Sequence, residues 1–441
     1  MHKSVKIDKY FKDIIKNEED KYIEDYKKVY EKMQKSNAIY KGNIIEFLYN
    51  PMFFDKNDIK LFENKLEILF GIINKVVKRY LNDLEFRNYF NFSKKMEELI
   101  LIDPGYSTPV PIGRFDIFYD YNEDFKFCEL NGDGSSAMNE ANTVEEIMYD
   151  SDIIKKLREN FDLYYTELFD SWVVEILRIY NQFESAKTKP NVAIIDFENL
   201  GTPYEFLEFK KSFEKSGLKT IIADPRNLEY KNGNLWHENF RIDLAYRRAV
   251  NQEMEKRIEE VEDFIEAYRD KAFCMVGPFR SQIIHNKIFF EILTNEMKTG
   301  FLSKSERDFI EKHIPETYIL KENTEMINKI MQNKDNYVLK PMDLYAAKGV
   351  YIGRDYGRKD WEEKINKALN SGDYLVQKFC IPGRKDALRY KGGKFQKELF
   401  KTTLGLFVYN ENFTGLYSRL GKKNIIASRG ESIVAPNFVV K

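Results

Sequence analysis

The sequence predicts a mixed α/β fold: a helical N-terminal region, a strand-rich body, and a small α/β unit set into that body. Three observations predict it. Apolar residues recur at helical spacing through roughly the first hundred residues. At Asp103-Pro104-Gly105 the texture changes, with Gly, Pro, Ser and Thr becoming frequent and strand patterns beginning. A strand–helix–strand run follows from Val192 to Ala223. With 441 residues, the chain has length for about three domains and a sizeable core.

Four regions are expected: 1–100, 101–189, 190–275 and 276–441. In the first, Leu61, Leu66, Leu69, Ile73, Val76 and Val77 line one face of a helix over Ile59–Leu81, with Asn57 or Asp58 as N-cap. The second opens with two strand-like runs around Tyr121-Asn122-Glu123-Asp124, a hairpin turn. It returns to helix over 153–183 and ends at a linker, Lys187–Pro190. The third contains the strand Val192–Asp196, a helix over Tyr204–Ser216 ended by Gly217, and the strand Leu218–Ala223. Strand–helix–strand at this length implies parallel strands. A further strand, Ile242–Arg248, carries Arg247 and Arg248. The fourth has a helix at His285–Leu293, the strand Tyr337–Pro341 running into a small-residue loop, 342–349, and the strand Tyr374–Phe379. Two more strands are expected near Leu404–Tyr409 and Gly415–Arg419.

Composition excludes several classes. The 70 Lys and Arg residues against 71 Asp and Glu give a net charge of -1, without the basic excess of a nucleic-acid binder. The 3 cysteines are scattered and the 4 histidines show no HxxxH spacing, so neither a disulfide framework nor a structural zinc site is expected. No apolar run reaches membrane-spanning length and the charged N-terminus is no signal peptide. A reduced, cytoplasmic location is expected, with neither membrane nor nucleic acid as partner.

The chemistry concentrates between Gly113 and Glu140. With the hairpin loop centred between Asn122 and Glu123, Asp120 faces Phe125, Phe118 faces Phe127, Asp116 faces Glu129 and Arg114 faces Asn131. Two carboxylates directly opposed on one face repel each other, so a cation is expected between them. The oxygen ligands of Asp, Glu and Asn suit Mg²⁺. A one-residue slip would separate Asp116 from Glu129, which leaves a solvated hairpin as the alternative. The turn Asn131-Gly132-Asp133-Gly134-Ser135-Ser136 is rich in donors that can cradle an anion. Downstream, Lys340 ends a strand beneath the loop holding Lys348 and Gly349, an arrangement that can hold and cover phosphates without a Walker A sequence. An exposed edge lysine is its alternative. Gln377 ends the apolar run YLVQ, where a hinge can present backbone groups to an adenine; its alternative is an ordinary strand end.

RFDIFYD followed by FKFCELNGD resembles the last core hairpin of the ATP-grasp ligases. There an R-x-D strand precedes an E-x-N strand. In most such enzymes this hairpin follows the lysine-bearing strands, whereas here Asn286-Lys287, Lys340 and Gln377 lie downstream of it. That order is similar to the circularly permuted ATP-grasp group, whose best-known member is the synthetase part of glutathionylspermidine synthase. ELNGDGSSAMNEA, ending near Glu140, GPFRSQIIHNKIFFEIL, GLYSRLG and IIASRGESIVAPNFVV resemble further segments of that group, so the resemblance spans about residues 100 to 441. No part of this sequence resembles the amidase domain of the bifunctional enzymes. The loop DLYAAKG is poorer in glycine than the pattern, and Lys378 stands where an acidic residue is common.

The resemblance implies a permuted ATP-grasp core with an inserted α/β domain and an N-terminal helical segment. It implies an ATP- and Mg²⁺-dependent ligase that joins a carboxylate to an amine through an acyl phosphate, releasing ADP and phosphate. Asp116, Glu129 and Asn131 would hold Mg²⁺. Lys287 and Lys340 would contact ATP phosphates, with Gln377 near the adenine and Gly349 in the covering loop. Arg114 and Arg419 would hold the carboxylate substrate or the transferring phosphoryl group, with Ser135 and Ser136 donating to it. Arg247 and Arg248 would aid substrate binding or act as interdomain ion pairs. The partners are then small-molecule or peptide carboxylates and amines. An ATP-grasp small-molecule kinase and a non-catalytic ATP-binding protein are the alternatives.

Overall fold

Helical spacing becomes helix in the N-terminal region where a polar residue caps it. A computed structural model describes residues 3–40, 42–344, 347–426 and 432–441. The helix expected at Ile59 runs over Lys56–Asn82, and its N-cap is Asp55 rather than Asn57 or Asp58. Asp55 is extended, its carboxylate accepts from the N–H groups of Asn57 and Asp58, and Asp58 returns a bond to the Asp55 N–H at 2.7 Å. The helix buries Phe62, Leu66, Leu69, Ile73, Val76 and Tyr80.

The region is not helical throughout. Met52–Asp55 is a buried strand that pairs parallel with Asn437–Val440, so an early segment and the C-terminal strand share a sheet. Local spacing does not announce this, because four apolar-rich residues read equally well as the start of a helix. The expected helix over 153–183 is two helices, Asp152–Arg158 and Asp170–Tyr180, with a short strand, Leu163–Tyr164, between them.

Strands β1 (Ile112–Phe118) and β2 (Lys126–Asn131) form the antiparallel hairpin. The α/β unit holds β3 (Val192–Ile195), β4 (Thr220–Ala223), β5 (Leu244–Arg247) and β6 (Cys274–Val276), parallel in the order β6-β5-β3-β4. The expected strand Ile242–Arg248 is thus divided: Phe240–Ile242 belongs to a small antiparallel sheet, and Leu244–Arg247 to the parallel one. A second antiparallel sheet contains β7 (Thr317–Ile319), β8 (Tyr337–Pro341), β9 (Tyr351–Ile352) and β10 (Tyr374–Lys378), in the order β7-β10-β8-β9. Then β11 (Gly383–Lys391), β12 (Lys394–Tyr409) and β13 (Asn412–Gly421) form a meander.

The meander completes the hairpin sheet. The first half of β12 pairs with β11 and its second half pairs with β1, so strands far apart in sequence are neighbours. One face packs on the helix Lys56–Asn82 through Phe115, Ile117, Phe400, Leu404, Leu406 and Val408. The opposite face turns toward the second sheet, whose own far side is closed by Tyr337, Leu339 and Val376 against Trp361. The candidate site is the cleft between the two sheets. No helix among the described residues is long and apolar enough to cross a membrane.

Candidate active site

In β1 the period of two sends Phe115 and Ile117 into the core and Arg114 and Asp116 into the cleft. The ladder pairs Arg114 with Asn131 and Asp116 with Glu129, as the centred loop predicts. Beyond that point the expected register fails. A bulge at Cys128 makes Phe127 face Ile117 and Lys126 face Phe118, and the Asp120–Phe125 pair lies outside the strands. The bulge turns the Cys128 carbonyl toward Lys340, whose Nζ donates to it at 2.9 Å.

The opposed carboxylates are each held by cations. Arg114 clamps Asp116 with Nε on Oδ1 at 2.8 Å and Nη2 on Oδ2 at 3.3 Å, and Arg419 Nη2 also donates to Oδ2. Both guanidinium carbons lie 5.4 Å from the Tyr417 ring centroid. Burial opposes the charge on Arg114, but Asp116 outweighs it and holds the guanidinium above its ordinary value. Lys287 Nζ lies 3.1 Å from Glu129 Oε1 and donates to the Leu344 carbonyl at 2.9 Å. Burial opposes ionisation of Glu129, yet Lys287 and then Lys340 overcome it and pull the carboxyl down to about 2. Burial lowers the pKa of Lys340. Four cations thus converge on two carboxylates at one wall of a cleft of about 280 Å³.

The cleft brings together Arg114, Asp116, Glu129, Asn131, Ser135, Ser136, Lys287, Lys340, Gln377 and Arg419. Gly349 stands beside it at φ 72°, where an added Cβ would meet Tyr374 Oη at 2.6 Å. Its covering loop includes Tyr345 and Ala346, which lie outside the described residues, as do 427–431 of the last matching segment. Gln377 is buried, with Nε2 donating to Thr317 Oγ1 at 2.9 Å. The N–H groups of Lys378 and Phe379 donate to the Glu316 and Asn336 carbonyls. Ser135 Oγ donates to the Asn131 carbonyl at 2.5 Å, while Ser136 gives its carbonyl to Arg114 at 2.8 Å. The helix expected at His285–Leu293 breaks at Asn286-Lys287 into Gln282–His285 and Ile288–Thr294. That break lets the Lys287 N–H donate to the Met342 carbonyl, where the covering loop starts.

Arg247 and Arg248 do not line the cleft. They are buried behind the 131–136 turn, with Arg247 Nη2 on Asp133 at 2.9 Å and Arg248 Nη2 on Glu205 at 2.7 Å. Asp133 also accepts the Asn251 N–H at 2.6 Å. Glu140 lies under Arg114 and beside Glu205, and burial with that neighbour raises its carboxyl to about 7.

Sequence reasoning missed Gly405 and His285. Gly405 lies opposite Asp116 on β12, where a Cβ would approach Arg114 Cδ to 2.9 Å and Asp116 Oδ1 to 3.0 Å. Only the pairing of β12 with β1 reveals it. His285 lines the cleft, its buried Nδ1 without a hydrogen-bond partner among the described residues. Its signal was adjacency to Asn286-Lys287.

The donor set fits Mg²⁺. Asp116 and Glu129 are register partners, Asn131 adds an amide, and all three can offer oxygen. An ion held by these three would keep its remaining positions for water and phosphate, as Mg²⁺ usually does.

No protein-family model and no curated protein matches the sequence. Among solved structures, the chain is similar to a glutathione synthetase-like effector from Globodera pallida in its apo form. The TM-score is 0.62 at 11% identity, covering 95% of this chain and 97% of that one. D-cycloserine synthetase aligns with a TM-score of 0.30 at 10% identity over 56% of this chain and 90% of its own, which carries no argument. The first likeness shows that this chain shares the fold of that effector.

Proposed function

We propose that the chain is an ATP-dependent carboxylate–amine ligase with a circularly permuted ATP-grasp core, similar in plan to the synthetase part of glutathionylspermidine synthase. The observation that carries the reading is the convergence of Arg114, Arg419, Lys287 and Lys340 on Asp116 and Glu129 between two sheets. An excess of cations over carboxylates in a half-enclosed cleft suits a polyphosphate. The permutation is supported by topology, because the early hairpin β1–β2 completes a sheet with the late strands β12 and β13.

Lys287 and Lys340 hold backbone carbonyls that phosphate oxygens replace one for one. Val338, Ile352 and Phe379 beside Gln377 give the base an apolar slot. Asp116, Glu129 and Asn131 would hold Mg²⁺, which when bound would supply positive charge against the phosphates. Arg114 and Arg419 would orient the substrate carboxylate by exchanging bonds they now make to Asp116 and the Ser136 carbonyl, since a guanidinium matches a planar anion at two points. A carboxylate oxygen bonds to the γ-phosphorus as the bond to ADP breaks. The amine nitrogen then bonds to the acyl carbon, phosphate leaves with the electron pair, and the amine proton passes to solvent.

Calorimetry with ATP and ADP, with and without Mg²⁺, followed by an ADP-versus-AMP product assay over amino acids, peptides and polyamines, tests the proposal. Acceptor-dependent ADP release with an amide product is expected, and Asp116→Asn or Glu129→Gln should abolish it in a folded protein. Turnover preserved in both variants would remove the metal assignment. ADP release with a stable phosphorylated product would mean a kinase. AMP would mean different chemistry, and no Mg²⁺-dependent nucleotide binding would remove both enzymatic readings.

A further inference from the structure

Three successive residues at the head of the covering loop, 342–344, are held from one side. The Lys287 N–H donates to the Met342 carbonyl at 2.9 Å, Gln282 Nε2 donates to Asp343 Oδ2 at 2.8 Å, and Lys287 Nζ donates to the Leu344 carbonyl at 2.9 Å. A phosphate that takes Lys287 Nζ frees the Leu344 carbonyl and leaves Asp343 tied to Gln282. A displacement of 342–344 therefore reaches Gln282, on the helix Gln282–His285, through Asp343.

Gln282 carries it inward. A carboxylate only accepts, so Asp343 takes the Gln282 amide by its NH2 group and leaves Oε1 for another donor. That donor is Asn251 Nδ2 at 3.2 Å, at the start of the helix Asn251–Lys256. The Asn251 N–H donates to Asp133 Oδ2 at 2.6 Å, and Arg247 Nη2 holds Asp133 Oδ1 at 2.9 Å. Asp133 belongs to the turn that carries Ser135 and Ser136. Its neighbour Gly134 has φ 53°, and an added Cβ would meet the Arg248 carbonyl at 2.9 Å and Val250 Cγ1 at 2.6 Å, so the turn is packed directly on the segment that leads into Asn251. Gln282, Asn251 and Asp133 are all buried. A bond broken anywhere along this chain leaves a buried polar group unpaired, and that cost makes its members move together.

We propose that Gln282 is a positioning residue that couples the two ends of the cleft, so that a nucleotide phosphate arriving at Lys287 sets the turn that receives the reacting carboxylate. This coupling rests on the ligase reading for the roles of Lys287 and the turn. The carboxylate substrate then binds a turn already set by MgATP.

The test is hydrogen exchange of the full chain, apo and with MgATP, read at 131–137 and 338–344. In wild type MgATP should slow exchange in both segments. Q282M keeps the side-chain volume and removes both bonds. Exchange at 131–137 should then rise about tenfold in the apo protein, the worth of one buried hydrogen bond, and MgATP should slow 338–344 alone. Q282E/D343N reverses donor and acceptor: the amide at 343 donates to the carboxylate at 282, whose second oxygen accepts from Asn251, and the net charge is unchanged. It should restore both wild-type responses, and a thermal melt checks the folding of each variant. A turn that bound MgATP leaves unprotected in wild type, a turn unmoved in Q282M, or a turn still loose in Q282E/D343N overturns the coupling. Failure of MgATP to bind wild type would sink the ligase reading, and the apo exchange of the three proteins would still decide whether Gln282 holds the turn.

Discussion

Glu145 shows how one buried side chain writes a pH dependence. Its Oε1 accepts the Asn437 N–H at 3.0 Å and the Asn437 Nδ2 at 2.7 Å, while Oε2 has no partner among the described residues. Burial raises the carboxyl from 4.5 to about 8, and the Asn437 bonds only partly oppose it. A carboxyl raised on folding favours the native state fully below pH 4.5, and that contribution is lost as pH rises through about 8. Glu140 acts the same way through about 7. Glu129 acts in reverse: its contribution is present above pH 4.5 and is lost as pH falls toward about 2. The summed contribution of these three groups should therefore be greatest near pH 4.5. Glu145→Gln keeps the acceptor for Asn437 and cannot ionise, so its melting temperature should decline less than that of wild type between pH 5 and 8. Parallel declines would show that Glu145 does not ionise in the folded protein over that range.

At the scale of the element, β12 serves two partners on one edge, and its glycine is what allows the second to bring charge against it. Arg114 and Asp116 occupy the space above Gly405. Gly405→Val is compatible with a strand backbone but forces the guanidinium and carboxylate off their positions. The expected result is a loss of stability of about 1–3 kcal/mol from overpacking, with a far larger loss of nucleotide-dependent turnover. A denaturation midpoint and a turnover assay on the same sample separate the two effects. Activity retained at wild-type level would show that the Arg114–Asp116 geometry is not needed for the chemistry.

At the scale of the molecule, the α/β unit grips the cleft from behind. Arg248 joins Glu205 to the Ser135 carbonyl, and Glu205 also accepts the N–H groups of Ala137 and Asn139. The turn that carries Ser135 and Ser136 is therefore set by a unit that begins some sixty residues later in sequence. Breaking a buried ion pair by removing one partner costs about 3–5 kcal/mol. Arg248→Met should cost the lower part of that range, since Glu205 keeps its two N–H donors. It should also weaken turnover by loosening the turn, which is read as a rise in KM alongside a lowered denaturation midpoint. An unchanged KM would confine Arg248 to stability.

The sequence by itself determined the hairpin and the opposition of Asp116 to Glu129. The loop as read gives a register one residue off beside the turn, and the Cys128 bulge restores the expected pairing at Asp116–Glu129 and Arg114–Asn131, so spacing placed these four on one face because the bulge made up the difference. The Cys128 bulge escaped it because an extra residue in one strand leaves no mark in composition. The parallel α/β unit was legible for a similar local reason, since a strand, a helix and a strand in short succession close in one way. Only the tertiary structure decided what meets across long separations: β1 against β12, Met52–Asp55 against the C-terminal strand, and Gly405 beneath Arg114. It also decided between the two readings of Arg247 and Arg248, which are buried ion-pair residues that support a turn. The physical reason is that hydrophobic periodicity reports which face of an element is buried, but not which element covers it.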